Sequence, residues 1–247
     1  MKKIQTSIVL LLIIGVVSCK KNENNSPATM GPSGNEVAAI VANSLAVNTS
    51  GLATNLNDMA TSAPITIKQA CGTSVTDSTT NSGNANGTTY SYMLKYTHTL
   101  LCNPTPEADN ITFNLWYHGN SKGSEMNSLD TGTATFKIAG LTAQSPVYNV
   151  NGEYKRTGAF NSKSGDKSSG LSSVDVIATD LLVSKSTGLV TGGSAPINIV
   201  ITIPSQQNHK YTFNAVASWN ANGTATLTGI NGQTYTINLF TGVVSSM

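Results

Sequence analysis

The chain has 247 residues, of which 39% are hydrophobic, 6% aromatic and only 11% charged, enough for one sizeable core or at most two small ones. Fourteen basic side chains, with Arg156 as the single arginine, face twelve acidic ones, which leaves no basic patch of the kind phosphate backbones require and excludes nucleic acid as a partner. Ser, Thr and Asn carry the polarity instead, at roughly a third of the chain, and Val, Ile and Tyr recur at strand-like spacing, which excludes a charge-driven disordered chain.

Residues 1–18 begin Met1-Lys2-Lys3 and continue into an unbroken apolar run, Ile8 to Val17, ten residues long. A spanning helix needs about 20 apolar residues, so the run reads as the core of a signal peptide. It ends in Val16-Val17-Ser18-Cys19, which resembles the lipobox of bacterial lipoproteins. The resemblance implies cleavage before Cys19, diacylation of its thiol and acylation of the new amine, so that the membrane is a partner through an N-terminal lipid. A thiolate is the right nucleophile for taking a lipid group. At roughly 0.8 kcal/mol per buried CH2, three acyl chains would hold the protein firmly where one would not. Loss of Lys2 and Lys3 leaves twelve basic and twelve acidic side chains, so the net positive charge belongs to the discarded segment. Lys20, and not Asp, follows the cysteine, which by resemblance to lipoprotein sorting favours the outer membrane. Lys20-Lys21-Asn22-Glu23 is partly similar to a surface-export signal, although it holds one acidic residue.

With Cys19 lipidated, Cys71 and Cys102 remain. In an oxidising compartment an even pair permits one bridge, worth about 3 to 4 kcal/mol, against the alternative of two small buried thiols that never meet.

Residues 19–34 hold two prolines, two glycines and no apolar period, and read as a tether between lipid and fold. Ser33 with Glu36 fits a capping box. Behind it Val37, Ile40, Val41, Leu45, Leu52, Leu56 and Met59 make one apolar stripe, which predicts a helix over 35–60 packed on a sheet and weakened midway by Asn48-Thr49-Ser50-Gly51.

Residues 61–247 read as an antiparallel β domain. Tyr90, Tyr92, Leu94, Tyr96, His98 and Leu100 alternate with polar residues, and Ile111, Phe113, Leu115 and Tyr117 follow an Asn103-Pro-Thr-Pro106 turn. If both apolar sets share a face, residue 98 lies opposite 113 and the loop is even in length. Further strands are expected at 131–139, 147–161, 174–183, 197–203, 210–219, 224–230 and 234–240. Asn231-Gly232 suits a two-residue type I′ turn. Short connections mean antiparallel pairing. Gly152, Gly158, Gly192 and Gly193 inside strand patterns suggest bulges that let the sheet curl. The expected fold is a mostly β, strongly curved sheet or partial barrel of about nine or ten strands with one N-terminal helix, and the alternative is a two-sheet β-sandwich.

Motifs for chemistry are sparse. His98, His118 and His209 lack metal-ligand spacing, as do the cysteines, and the hairpin register points His98 and His118 to opposite faces. Gly119-Asn-Ser121-Lys-Gly123 matches a nucleophile elbow in letters, but a polar stretch without helical period follows it. Ser164-Gly-Asp-Lys167 matches Ser-x-x-Lys inside a hairpin turn. Only the fold could pair carboxylates from among Glu107, Glu125, Glu153 and Asp175. No catalytic residue, metal or cofactor is therefore expected, and the chain does not read as an enzyme.

Binding has more to work with. Trp116, Trp219 and the eight tyrosines could form a platform for sugar rings, or could be cross-strand pairs of the core. The Thr131/Thr133/Thr135 and Thr224/Thr226/Thr228 rows suit a wet strand face. The expectation is a lipid-anchored envelope protein with a non-enzymatic structural or extracellular binding role. Glycan binding through Trp116 or Trp219 is one alternative. Another is a carrier or assembly factor for apolar ligands, since a curled sheet with a helix resembles in outline the periplasmic lipoprotein-carrier fold.

Overall fold

The computed structural model describes residues 31–104, 107–163, 165 and 167–247. The signal segment, Cys19 and most of the tether lie outside the described residues, as does Ser164.

Among the described residues, two helices precede one sheet of eleven strands. α1 spans Gly34–Leu45 and α2 spans Leu52–Thr66, joined by a short 3-10 turn at Val47–Thr49. The helical stretch is thus divided at Asn48 to Gly51, the place where the sequence weakens it, and Ser50 turns left-handed there. It also runs past residue 60, to Thr66, with Pro64 in its last turn. Half of the capping box forms. Ser33 Oγ accepts from the Glu36 amide at 3.4 Å, while the Glu36 carboxylate accepts from the amide (3.1 Å) and hydroxyl (3.0 Å) of Ser168, tying the helix start to the residue just before Ser169–Ser184, a strand of the sheet.

Eleven strands follow: β1 (Ser74–Ala85), β2 (Thr88–Cys102), β3 (Ala108–Lys122), β4 (Met126–Ala139), β5 (Val147–Ser162), β6 (Ser169–Ser184), β7 (Val190–Ile203), β8 (His209–Asn220), β9 (Thr224–Ile230), β10 (Gln233–Asn238) and β11 (Val244–Ser246). Each pairs antiparallel with its neighbours in chain order, in one unclosed sheet. A single sheet replaces the sandwich alternative, and two strands exceed the sequence reading: β1, with almost no apolar residue, and the three-residue β11.

The registers follow the period-two pattern. His98 faces Phe113. A bulge between Leu101 and Cys102 then leaves residues 103–107 as the loop, five and not an even number. Asn231 and Gly232 both have positive φ, at 50° and 74°, and form the expected two-residue type I′ turn. Gly152 marks a register shift in the β5–β6 pair and Gly193 lies beside another in β6–β7, whereas the pairing runs straight through Gly158.

The sheet wraps the helices. α1 touches β4 and β6 and also β9, β10 and β11, and α2 touches β2, β3 and β6. Only Asn35 and Ala39 of α1 reach solvent to any extent, so it is a central helix buried nearly all round, and not one with a single packed stripe. Ala38, Ala42 and Ser44 keep it thin enough for strands to approach from several sides. At one rim the 3-10 turn draws the ends of the sheet together, with Asn48 Nδ2 donating to Thr88 Oγ1 at 3.0 Å and to the Thr241 carbonyl at 2.7 Å. The pocket left there, beside Met126, is about 60 Å³, room for a few waters.

Candidate functional site

Alternation along the strands creates two unlike faces. The inner face is mostly aliphatic and aromatic, and its most connected polar group is a cluster around Arg156. Arg156 of β5, 1% exposed, donates to Asp130 Oδ2 of β4 at 2.7 Å, to the Thr49 carbonyl at 3.1 Å and to the Tyr117 hydroxyl at 3.4 Å. Its guanidinium lies 5.0 Å from the Tyr117 ring centre. Asn43 of α1 donates to Ser128 Oγ at 3.1 Å and to Asp130 at 3.4 Å, and accepts from Ser121 Oγ at 3.1 Å. Glycines make the room. A Cβ on Gly119 would strike the Tyr117 hydroxyl, and one on Gly158 would lie 2.5 Å from Asp130 Oδ1.

Arg156 and Asp130 form a buried ion pair. Burial alone would lower the Arg156 pKa, but the Asp130 carboxylate and the neighbouring tyrosines raise it above its ordinary value. Burial pushes Tyr117 up to about 12 although Arg156 opposes it, so the phenol stays neutral. The Arg156 and Asp130 charges face each other inside the cluster. Ser121, the serine of the elbow-like motif, is 1% exposed, ends a strand that turns into another strand, and is bonded to Asn43 and Ser128.

The histidines are scattered. His98, inside, shares a 2.5 Å hydrogen bond with Thr66 of α2 and lies 3.7 Å from Asp77; burial lowers its pKa and Asp77 opposes that. His118 is on the outer face, and His209 packs on Tyr211 with ring centres 4.6 Å apart. Of the candidate carboxylates, Asp175 pairs with Lys155 at 3.2 Å and Glu153 stands exposed on the same outer face, while Glu107 and Glu125 lie in separate turns. Among the described residues no group of three His, Cys, Asp or Glu could hold a metal ion, and no helix is long and apolar enough to cross a membrane. Cys71 and Cys102 are bonded to each other.

One carboxylate is out of balance. Asp58 of α2 has a buried oxygen without a partner, and burial lifts its pKa from 3.8 to about 6. Because the folded value is the higher one, folding binds a proton between about pH 4 and 6, and stability from this group falls as pH rises through that window. Asp58→Asn is expected to raise the unfolding free energy by about 2 kcal/mol at pH 7.5, solvent contact allowed for, and to change it little at pH 3.5. Urea titrations at both pH values test this; an equal gain at each would refute it.

The outer face is where the remaining sequence candidates separate. Trp219 is 5% exposed and belongs to the core, so the two tryptophans form no common platform. Tyr92, Tyr117, Tyr148, Tyr154 and Tyr235 are likewise buried, which makes them core residues. Trp116 is 42% exposed, and its ring is nearly parallel (14°) to that of His118, with centres 6.1 Å apart. Two rows cross the strands from β3, one starting opposite His118 and the other opposite Asn120, while Trp116 stands opposite Thr133 at their flank. Thr131, Thr157 and Ser173 lie in register on β4, β5 and β6, and so do Leu129, Ala159 and Leu171 beside them. Between the rows runs an open groove of about 530 Å³ that begins at His118 and ends at Thr202 and Lys210. A second groove, of about 430 Å³, lies over Ile177, Pro196 and Val216.

Compared with protein-family models, with curated proteins and with solved structures, the chain matches none.

Proposed function

We propose that this chain is a lipid-anchored protein of the cell envelope with a non-enzymatic structural or extracellular binding role, held at the outer membrane through Cys19. The observation that carries the reading is the filled curl: α1 occupies the space in which a carrier of this outline would hold its ligand, so the outer face is the surface left to meet a partner. The neutral side-chain balance of residues 19–247 and the hydroxyl-rich outer strands suit work in water beside a membrane. The carrier reading would need α1 to leave the curl, breaking the bonds of Asn43, Asn48 and Glu36 to the strands and turns.

Metabolic labelling with palmitate tests the anchor. The wild-type chain is expected to carry label and to partition into detergent, and Cys19→Ala to lose both properties. Label that persists in Cys19→Ala would overturn the anchor and with it the envelope reading.

A further inference from the structure

We infer that the outer-face groove that begins at His118, with the Trp116 ring flanking it, binds an extended, uncharged glycan chain lying across the strands. This deepens the envelope-binding reading above and rests on it only for the place where such a glycan would be met.

The two walls of the groove differ in chemistry. One is a row of hydroxyls, Thr131, Thr157 and Ser173, and the other a row of aliphatic groups, Leu129 (54% exposed), Ala159 and Leu171 (55% exposed). A pyranose has this same division, with C–H groups on its faces and hydroxyls around its edge. Neighbouring strands stand about 4.8 Å apart, close to the length one pyranose adds to an extended chain. A glycan laid across the strands therefore meets one hydroxyl residue and one apolar residue per sugar. At the β3 end the exposed, nearly parallel rings of Trp116 and His118 offer a flat surface on which a terminal sugar can stack.

Other occupants fit less well. The strands under the groove already spend their backbone N–H and C=O groups on each other, so a peptide would find no main-chain partners there. An acyl chain would strip the water from a wall of hydroxyls, of which Thr131 and Thr157 keep only their bond to each other. An anionic polymer would meet few cations: Lys210 closes one end, Lys95 stands opposite Trp116 at the other, and Lys155 beside the hydroxyl row is neutralised by Asp175.

Calorimetric titration of the full mature protein, purified in detergent, with the hexamers of β-linked glucose, xylose, mannose and N-acetylglucosamine tests the inference. At least one hexamer is expected to bind saturably at micromolar to millimolar concentration. Trp116→Ala should weaken it about tenfold with an unchanged thermal melt, and Trp116→Phe should stay within about threefold of wild type. If none of the four binds, or if binding is undiminished in Trp116→Ala, the glycan site is overturned. The anchor fails separately: a protein without palmitate that still binds a hexamer loses its membrane reading and keeps its site.

Discussion

Asp130→Ala is expected to lower the unfolding free energy by about 3 to 5 kcal/mol, because it strands a guanidinium that is 1% exposed among helices and strands. Arg156 cannot shed its charge, and its other oxygen partners, the Thr49 carbonyl and the Tyr117 hydroxyl, are neutral. Asn43 would also lose one of the two acceptors that hold α1 against β4. The double variant Asp130→Leu with Arg156→Met removes both charges while keeping volume, and should fall within about 2 kcal/mol of wild type. Urea midpoints of the three proteins measure the difference. If the double variant is as unstable as Asp130→Ala, the loss comes from shape and not from an unpaired charge. The cluster's role would then be packing, and its charges incidental.

The period of two carried most of the fold. It put residue 98 opposite 113, and it placed Trp116 outside, since the odd positions around it, Phe113, Leu115 and Tyr117, are the apolar ones. The same parity puts Trp219 in line with Ala215 and Ala217 on the inner face, so the burial of one tryptophan and the exposure of the other were both legible. β1 left no such record, because nearly all of its residues are exposed on both faces and alternation marks a strand only where one face is buried. Its available signal was the turn after it: Asn86 and Gly87 both take positive φ and join β1 to β2 in a two-residue hairpin. The buried cluster was invisible for a different reason. Arg156 stands out as the only arginine, but Asn43, Ser121, Asp130 and Thr49 join its cluster from four elements, and nothing in their spacing along the chain says that they meet. The groove is a further step removed, since it depends on the registers of three successive hairpins and not on any motif.

Replacing Cys71 and Cys102 together by serine is expected to cost about 3.5 kcal/mol, the loop-closure entropy for a sequence separation of 31. For a fold of this size that is roughly a 10 °C fall in melting temperature. The loss should begin locally. The bond ties the turn after α2 to the end of β2, and the strand between them, β1, is an edge strand with one neighbour and almost no buried side chain. Beside the bond, the ladder's end is closed by Gly72 donating to the Leu100 carbonyl at 2.8 Å, and by the Leu100 amide donating to the Thr73 carbonyl at 3.3 Å. Amide exchange in β1 should therefore accelerate before that of β4 or β5, whose inner faces are buried. Thermal melts of wild type with and without reductant, beside the serine variant, give the control: reductant should bring the wild type down to the variant and leave the variant unmoved. Melts that coincide under all conditions would show that the β1–β2 ladder holds itself. A real cost ties the fold to an oxidising compartment, and so supports export of this chain independently of its first nineteen residues.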